Sequence, residues 1–398
     1  MNICQVGTGF TSIPPRVSAA TEEVIFNLSK ELIAQRCDVT VVDILDRRRP
    51  ANGLPIVELP YLSYIKTTKS NSLGLIARRI SFSLFSTMWL HRFKECYDVV
   101  HFHNQFPASM FNWFSRLSSK ENPAIFYTLH NPVWGLPDLE MPKEVMLKFV
   151  LEVDAMKRSD KVIVVSETLR RNVLKRLKLD PSSVVVIPNG VNVSSFHPGR
   201  ASSLLRKELA PNGEKIVLCV GRICRYKGQK TLVDSIPKIT KENPNVKFIF
   251  VGPVDDVQYF KIINDTIDSM SLRKYCVFKG TVPSDQVPKY FATADICTVL
   301  SITEAGPPLT LLQAMSSARA IVASSIPQNF EAAKQGNEII FVDPLNVDEI
   351  SSVIARLLYD DDVRAAMGEK ARNTVLGNYD WKVTAEKTLR LYQNVRGK

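Results

Sequence analysis

The sequence predicts an α/β protein of two Rossmann-like domains with a ligand-binding cleft between them. Short apolar runs of strand length alternate with stretches of helical periodicity along the whole chain, a pattern typical of parallel sheets covered on both faces. The series of elements ends near residue 195 and begins again at Lys215, and 398 residues suit two domains better than one. In such sheets, ligands bind outside the carboxyl ends of the strands.

The predicted strands form two series along the chain. The first contains the runs 2–6, 38–43, 98–103, 124–129, 161–165 and 183–187. The second contains the runs 215–220, 246–251, 275–279, 295–299 and 320–323. Helical spacing fills many of the gaps, as between Glu22 and Gln35, where apolar residues share one face. Between the series, the turn-forming stretch "VIPNGVNVSSFHPGR" and a polar segment place a domain boundary in 195–213.

The composition is ordinary for a globular protein, with 45% hydrophobic and 23% charged residues. The net charge of +11 favours an anionic partner, such as nucleic acid, a phosphorylated substrate or an anionic membrane surface, although a generally basic surface is an alternative. Seven scattered cysteines without a CxxC pair favour reduced, buried thiols in an intracellular protein. The first residues, "MNICQVG", predict a strand and not a signal peptide.

Two cations lie where the strand 215–220 is followed by a helix predicted to begin near Gly228. Arg222 comes just after the strand, and Lys227 directly precedes Gly228. Helix N-termini attract anions, Arg binds phosphate oxygens through two donors, and Gly lets the backbone approach closely. The pattern therefore predicts a diphosphate site, with a solvated loop carrying two charges as the alternative.

The stretch "EAGPPLTLLQAM" follows the strand 295–299 and again places a helix N-terminus at the carboxyl end of a strand. Glu304 begins it, and Gln313 lies later on the predicted helix. We expect Glu304 at the ligand site, with a helix-capping role as its alternative. The alternative for Gln313 is a surface position.

Gly7 and Gly9 follow the first strand, as in a dinucleotide-binding fingerprint. The third glycine is replaced by Ser12, and Pro14 and Pro15 stand where the fingerprint needs a helix. NAD binding is therefore disfavoured, and we expect a flexible loop facing the cleft.

Three of the five histidines follow or occupy neighbouring strands. His101 and His103 are two apart and share a face of their strand, and His130 ends the next one. No Cys or carboxylate pattern completes a metal site, so contact of a neutral His130 with a sugar hydroxyl or phosphate is favoured over metal binding. The acidic runs 255–256 and 360–362 are assigned no metal either, and 360–362 is expected to start a helix.

The segment 59–94 contains no acidic residue. It contains Lys66, Lys69, Arg78, Arg79, Arg92 and Lys94, interleaved with Tyr61, Tyr64, Phe82, Phe85, Met88, Trp89 and Phe93. Such a basic amphipathic segment can lie on an anionic membrane. The alternative is a helix packed on the first domain with its charges in solvent. No window is apolar enough to span a membrane.

Together, these motifs resemble the retaining GT-B glycosyltransferases of family 4 over nearly the whole chain. The N-terminal half is similar to the family in "IPPRVSAATEEVIFNLSKEL", "DVVHFHN", "YTLHNP", "SDKVIVVSE" and "VIPNGVNVSSFHP". The C-terminal half is similar in "VGRICRYKG", "EAGPPLTLLQAM", "IPQNFEA" and "YDWKVTAEKTLRLYQNV", the last being a helix that in this family returns to the N-terminal domain. The resemblance implies an acceptor-side domain of 1–195 with the helix 380–398, and a donor-binding domain of 196–379.

The resemblance also implies roles for individual residues. Catalytic roles fall on His130, Arg222, Lys227 and Glu304. Donor binding falls on Gly221, Arg222, Lys227, Glu304, Leu309 and Gln313. Candidates on the acceptor side are Thr11, Ala19, Ala20, His103 and Asn104. Fixed cations that neutralise a leaving diphosphate stabilise the transition state most, and no enzyme nucleophile or cofactor is implied.

Three features depart from the family pattern. Val17, Ala19 and Ala20 stand where the family has glycines. The Glu pair becomes Glu304 and Gln313, one residue further apart than usual, with an amide as its second member. Pro307 and Pro308 remove two N–H donors from the loop after the strand.

We therefore expect transfer of a sugar from a nucleotide-sugar to a hydroxyl acceptor, with retention of configuration and without a metal. A lipid-linked acceptor, contact with an anionic membrane through 59–94 and a cytoplasmic location at the inner membrane face form the accompanying hypothesis. The alternatives are a non-catalytic nucleotide-sugar-binding relative and a sugar-nucleotide epimerase. Nucleic acid is not expected as a partner, because no recognition motif accompanies the charge.

Overall fold

The computed structural model describes residues 1–15, 19–49, 53–62, 73–115, 123–132, 143–333 and 338–397. They form two compact units, of which the first comprises Met1–Asn189 with Trp381–Lys398 and the second comprises Gly190–Asp380. The observed boundary between the units, after Asn189, therefore lies shortly before the predicted boundary region of 195–213. The acceptor-side and donor-binding labels given to the two domains stay predictions.

The first unit is built on a seven-stranded parallel sheet of order β3-β2-β1-β4-β5-β6-β7. Its strands are β1 (Asn2–Val6), β2 (Asp38–Ile44), β3 (Ile56–Leu59), β4 (Val99–Phe102), β5 (Ala124–Leu129), β6 (Lys161–Val164) and β7 (Val184–Val186). Every residue of the central strands β4 and β5 is buried. Burial on both faces explains why these strands have continuous apolar character instead of alternation.

Six helices cover this sheet within the described residues. They are α1 (Ala20–Ala34), α2 (Leu73–Phe93), α3 (Gln105–Ser115), α4 (Lys143–Arg158), α5 (Glu167–Leu177) and α14 (Trp381–Arg396). The last of them belongs to the first unit although it ends the chain, because its residues Trp381, Ala385 and Tyr392 complete the core beneath β1 and β5.

The second unit is built on a six-stranded parallel sheet of order β10-β9-β8-β11-β12-β13. Its strands are β8 (Lys215–Val220), β9 (Val246–Val251), β10 (Cys276–Gly280), β11 (Ile296–Val299), β12 (Ala320–Ser324) and β13 (Ile340–Val342). Its helices are α6 (Ser203–Leu209), α7 (Gln229–Glu242), α8 (Val257–Ser269), α9 (Val287–Thr293), α10 (Leu309–Ser316), α11 (Pro327–Phe330), α12 (Val347–Tyr359) and α13 (Asp361–Asn378). Successive residues of β8 enter different apolar clusters, so both faces of the sheet are packed.

Each sheet changes direction of winding at one pair of adjacent strands. In the first unit the pair is β1 and β4, and in the second it is β8 and β11. Loops that leave adjacent strands toward opposite faces open a crevice at the carboxyl ends, where doubly wound sheets bind ligands. The topology therefore marks two positions, one in each unit, at which polar side chains are to be sought.

The fold class predicted from the sequence, two Rossmann-like α/β domains, is confirmed. The predicted strands are all present, with small shifts at their ends, whereas β3 and β13 were not predicted. Both are short edge strands, and β3 is only partly buried, so each lacks the long apolar run that marked the others. Six of the seven thiols are buried as expected, but Cys96 is exposed.

Candidate functional site

The loop after β8 in the second unit contains the two predicted cations. It passes through a 3₁₀ turn at Arg225–Lys227 and enters α7 through Gly228, whose φ of 71° is left-handed. A Cβ built on Gly228 would lie 2.0 Å from the carbonyl oxygen of Leu300. Only glycine therefore allows this loop to pack against the end of β11, and that packing brings Lys227 to the switch point.

Arg222 lies at the carboxyl end of β8 and is about half exposed. Its Nη1 lies 2.7 Å from Oδ2 of Asp255, and its side chain is 52% exposed. Its Nη2 donates to the hydroxyl of Tyr226. The carbonyl of Arg222 accepts from the side-chain nitrogen of Gln229 at 2.9 Å, which fixes the backbone of the loop against the start of α7.

Lys227 and Glu304, for which the sequence suggested separate roles, form an ion pair. Lys227 Nζ donates to Glu304 Oε1, and the two side chains are only 19% and 15% exposed. Ile302 N donates to the carbonyl of Tyr226 at 2.8 Å, so the loops after β8 and β11 are also joined through their backbones. The helix-capping alternative for Glu304 is wrong, since α10 begins at Leu309 with Pro308 as its N-cap.

The ring of Tyr226 lies near both cations. The guanidinium carbon of Arg222 and the ammonium of Lys227 each lie 5.7 Å from the centre of its ring. Arg225 on the same turn, 3.3 Å from Asp256, is more exposed than either at 63%. Each of the three cations of this loop has a carboxylate partner, so the cluster as a whole is locally neutral.

The helix α10 provides the remaining donor-side candidates. Gln313 is buried, with 7% of its surface exposed, so the surface alternative for this residue is wrong. Pro307 and Pro308 are buried before the helix, which leaves the N–H groups of Leu309 and Thr310 as the first donors of its N-terminal turn. Nothing in the second unit contradicts the donor-binding candidates, and their roles stay predictions.

A cavity of about 170 Å³ opens at the carboxyl ends of β1, β4 and β5 in the first unit. It is lined by Thr8, Phe10, Thr21, Glu22, Arg79, His103, Asn104, Gln105, Tyr127, Thr128, Leu129, His130, Asn131 and Glu152. It thus brings together three of the predicted residues, His103, Asn104 and His130. Of the other acceptor-side candidates, Thr11, Ala19 and Ala20 are not in its lining. Val17, which departs from the family pattern, lies outside the described residues.

Neutral histidines form one wall of this cavity. His103 and His130 stack with ring centres 5.2 Å apart, and Nδ1 of His103 lies 3.0 Å from Nε2 of His130. Burial lowers the pKa of His130 to about 4. Burial, with the neighbouring rings of His101 and His130, also holds the pKa of His103 well below its usual value. Both rings are therefore uncharged near neutral pH, as expected for groups that bind hydroxyls.

Glu22 and Arg79 line the cavity but were not predicted as site residues. Glu22 accepts from the hydroxyl of Thr8, and burial raises the pKa of its carboxyl. The guanidinium of Arg79 lies 5.4 Å from the ring centre of Phe10, and burial lowers its pKa. Glu22 resembled a solvent-facing acid in the first turn of a helix, and Arg79 resembled one charge among many in 59–94, so neither had a distinctive sequence signal.

The expected surface character of 59–94 is only partly correct. Arg79 lines the cavity, and Lys94, with 1% exposed, is buried, so neither is a solvated or membrane-facing charge. Residues 63–72, with Lys66 and Lys69, lie outside the described residues. Among the helices that are described, none combines the length and apolar character needed to cross a membrane.

The acidic runs have structural roles. Asp256 caps α8 by accepting from the N–H of Tyr259, and Asp360 caps α13 by accepting from the N–H of Val363. The expectation that 360–362 starts a helix is confirmed. Within the described part of the chain, no three His, Cys, Asp or Glu side chains are grouped so that they could hold a metal ion.

Comparison with protein families matches the two halves of the chain to two related descriptions. Residues 21–195 match Glycosyltransferase Family 4, and residues 202–374 match Glycosyl transferases group 1. The chain belongs to the GT-B glycosyltransferases of this group. Both halves of the resemblance deduced from the motifs are thereby confirmed.

Known proteins with similar sequence or structure span most of the chain. An Escherichia coli UDP-Gal:alpha-D-GlcNAc-diphosphoundecaprenol alpha-1,3-galactosyltransferase is 24% identical over 75% of this chain and 76% of its own. The sucrose-phosphate synthase of Thermosynechococcus elongatus superposes with a TM-score of 0.81 at 21% identity, covering 100% of this chain and 99% of its own. Anabaena HepE, solved with UDP-glucose, superposes with a TM-score of 0.77 at 18% identity, covering 99% and 100%.

Proposed function

We propose that this glycosyltransferase moves a sugar from a nucleotide-sugar donor to a hydroxyl acceptor with retention of anomeric configuration. The observation that carries the proposal is the placement of Arg222 and Lys227 on one loop at the switch point of the second sheet, each 5.7 Å from the ring centre of Tyr226. Two cations held on one loop near the same ring are suited to the two phosphates of a nucleoside diphosphate. HepE, which has a similar fold, was solved with UDP-glucose, and this supports the same class of donor.

Donor binding would replace the carboxylate partners of these cations with phosphate oxygens. Asp255 is 41% exposed and can return to solvent at little cost when Arg222 turns to a phosphate. Glu304 is 15% exposed, so it would need new partners when Lys227 leaves it. Hydroxyl groups of the donor sugar are suitable partners. The ion pair thus couples recognition of the diphosphate to recognition of the sugar.

The chemical contribution of the cluster is electrostatic. When the bond between the anomeric carbon and the diphosphate breaks, the bonding electrons go to the diphosphate, and Arg222 and Lys227 stabilise the charge that develops there. The acceptor oxygen forms the new bond to the anomeric carbon, and its proton passes to an oxygen of the departing diphosphate. We propose that these side chains provide the neutralisation that a divalent cation provides in other transferases, so that transfer does not depend on added metal.

The cavity of the first unit is the proposed acceptor site. Its neutral imidazoles, the amide of Asn104 and the carboxyl of Glu22 are hydrogen-bonding groups without a dominant charge. Such groups match a polyhydroxyl compound better than a densely charged one. His130 is the residue of this set for which we propose contact with the reacting sugar.

The direct test begins with purified protein and a panel of UDP-, GDP- and ADP-sugars, each with and without hydroxyl acceptors. Release of nucleoside diphosphate that depends on the acceptor, together with a glycosylated product, supports the proposal. The anomeric proton coupling of the product then shows whether configuration is retained. A parallel series with EDTA tests independence from metal, and we expect its rates to be unchanged.

Two other results would each replace the proposal. Release of nucleotide and epimerised sugar without acceptor would indicate a sugar-nucleotide epimerase. Donor binding without turnover across the acceptor panel would indicate a non-catalytic relative. A chemically stable donor analogue separates these cases from failure to bind, because a ligand of the native state raises the melting temperature.

We further propose that the acceptor is lipid-linked and that the first unit contacts an anionic membrane through α2. The helix exposes Ile80, Leu84, Phe85 and Met88, from 36% to 60%, and Arg92 is exposed near its end. The E. coli relative is named for an undecaprenol-linked acceptor. Apolar side chains beside basic ones suit a peripheral helix at a lipid surface.

Flotation with vesicles tests this second proposal. Wild-type protein should float with vesicles that contain about 30% anionic lipid at moderate ionic strength, and Leu84→Glu with Met88→Glu should abolish this, since charges replace the inserted groups. The pair Leu204→Glu and Val257→Glu, exposed by 80% and 74% in the second unit, is a matched control. Equal flotation of all three proteins, or of none, would remove the membrane proposal without affecting sugar transfer.

A further inference from the structure

His101, His103 and His130, of which the first two are buried and the third is partly exposed, belong to one continuous chain of hydrogen-bonded side chains in the first unit. In order, the chain contains His130, His103, Gln5, Tyr392, His101 and Thr128. Both ends of this chain, His130 and Thr128, line the cavity. Tyr392 comes from α14 and is completely buried. The last helix of the sequence is therefore joined to the proposed acceptor site through side chains alone.

The contacts along this chain have hydrogen-bond geometry. Nε2 of His103 lies 2.7 Å from Oε1 of Gln5, and Nε2 of Gln5 donates to the hydroxyl of Tyr392 at 3.2 Å. That hydroxyl lies 2.6 Å from Nδ1 of His101, whose Nε2 lies 2.6 Å from the hydroxyl of Thr128. With the contact between His103 and His130, no link is missing.

All three imidazoles in the chain are neutral near pH 7. Burial lowers the pKa of His101 to about 3 and that of His130 to about 4, and it lowers that of His103 as well. A neutral imidazole has one N–H donor and one lone pair. Each ring must therefore donate on one side and accept on the other, so the direction of one hydrogen bond determines the direction of the next.

The orientation of the Gln5 amide fixes that direction. Its oxygen can only accept, so Nε2 of His103 donates to it, Nδ1 of His103 accepts, and Nε2 of His130 donates. Its nitrogen donates to Tyr392, which then donates to Nδ1 of His101. All three rings are thus Nε2–H tautomers. Turning the amide by 180° would reverse every bond and make all three Nδ1–H tautomers.

We infer that Gln5 and Tyr392 are positioning residues that set the tautomer of His130, and thereby what His130 offers to a ligand in the cavity. In the observed direction, the lone pair of Nδ1 is the remaining acceptor of His130 and can receive a hydrogen bond from a hydroxyl. In the reversed direction, Nδ1–H would be a donor and would suit a phosphate or carbonyl oxygen. The link to a sugar hydroxyl rests on the proposed function, whereas the tautomer does not.

Nitrogen NMR of protein labelled with ¹⁵N in the histidine rings tests the inference without any substrate. The five histidines give few signals, and the His101→Asn, His103→Asn and His130→Asn variants assign them. We expect His101, His103 and His130 to be Nε2–H tautomers in the wild type. In Tyr392→Phe the amide of Gln5 loses its anchor, so the two ring nitrogens of His130 should shift toward each other as both tautomers become populated.

Thr388→Val is the matched control. Thr388 lies one turn before Tyr392 in α14, is 2% exposed, and its hydroxyl bonds only to the carbonyl of Thr384 in the contacts of the described chain. The Thr388→Val substitution removes a buried hydroxyl from the same helix and leaves the hydrogen bonds of the histidine chain in place. The His130 signals should remain as in the wild type. If Tyr392→Phe does not fold, Gln5→Met, which is close in volume, replaces it with the same expectation.

An unchanged His130 spectrum in a folded Tyr392→Phe or Gln5→Met protein would overturn the inference, as would unlike tautomers among the three rings of the wild type. Where transfer is measurable, kcat/KM should fall by a factor of about two to ten, in proportion to the lost tautomer population. If no transfer is found with any substrate, the proposed function fails and the NMR result still stands or falls by itself.

Discussion

The polar edges of the two sheets are built from different kinds of groups. In the first unit, His101, His103 and Gln5 are buried and uncharged, and hydrogen bonds join them into one chain through the hydroxyl of Tyr392. In the second unit, the loop after β8 carries charged groups that are paired and partly exposed, such as Arg222 and Lys227. Neutral polar groups can be buried at little cost in free energy when they are hydrogen-bonded, whereas a charged group loses less hydration free energy when it stays near solvent. The difference suits hydroxyl recognition in one unit and diphosphate recognition in the other.

The largest effect is expected from the charged edge. Lys227→Ala removes a partly buried cation that we assign to the leaving diphosphate, and kcat/KM for transfer should fall by about 10²- to 10³-fold. Arg225→Ala is the control, because it removes an equal charge from the same turn, and its pair with Asp256 is more exposed. We expect a change of less than about threefold for it. Similar losses for both variants would show that only the general charge of the loop matters.

Replacing Gly228 tests whether backbone packing holds the charged edge in place. An alanine there would require a left-handed φ of 71° and would put Cβ 2.0 Å from the Leu300 carbonyl. We expect the free energy of unfolding of the second unit to fall by about 3 kcal/mol or more. Gly213→Ala is the control for conformational strain alone, because Gly213 has a φ of 79° and nothing lies within 4 Å of an added Cβ. We expect this control to lower the free energy of unfolding by about 1 kcal/mol. Urea titration measures the free energy of unfolding of both variants. Equal decreases in the two would contradict a packing role for Gly228.

Acid should destabilise the neutral edge. Since burial lowers the pKa of His101 to about 3, the unfolded chain takes up a proton at this residue below about pH 6.5 that the folded chain does not. Stability is therefore lost as the pH falls, by about 2 to 3 kcal/mol per histidine at pH 4.5. His101→Gln should lose less stability than the wild type over this range.

Buried carboxyl groups of the first unit act in the opposite direction. The pKa values of Glu22 and Asp43 are raised by burial, that of Asp43 to about 6, so these groups favour the folded state as the pH falls. These carboxyl groups are present in both the wild type and His101→Gln. Their contributions therefore cancel when the free energies of unfolding of the two proteins are subtracted. Parallel pH profiles for the two proteins would show that His101 takes up its proton equally in the folded and unfolded states.

The smallest effect should come from Arg222→Ala on stability. Its ion pair with Asp255 is about half exposed on both sides, and such pairs contribute less than about 1 kcal/mol. Thermal unfolding should therefore change little in a variant whose transfer is strongly reduced. A large loss of stability would mean that Arg222 is retained for folding and would weaken the functional interpretation of the charged edge.

The sequence predicted a site well where its residues are close together in the chain, and poorly where they are far apart. Arg222, Lys227 and Gly228 are neighbours at the end of a clear strand, so a short stretch revealed them. The ion pair of Lys227 with Glu304 joins positions far apart in the chain, and separate motifs could not show that the two side chains meet. The alternation of short apolar runs with helical periodicity, repeated in two series, was sufficient for the fold class.

The histidine chain was less accessible to prediction. Gln5 and Tyr392 are separated by nearly the whole sequence, and each has the ordinary appearance of a residue in a strand or an amphipathic helix. Glu22 and Arg79 were missed for the same reason, since burial against other elements gives them their character. Tertiary packing, which periodicity does not encode, determines such sites.

Calorimetric titration with nucleoside diphosphates and the matching monophosphates tests the central claim most directly. The wild type and Arg225→Ala should bind the preferred diphosphate more tightly than its monophosphate. The double variant Arg222→Ala, Lys227→Ala should bind the diphosphate at least about tenfold more weakly and should no longer distinguish the two ligands. Equal diphosphate affinity in the wild type and the folded double variant would contradict the account.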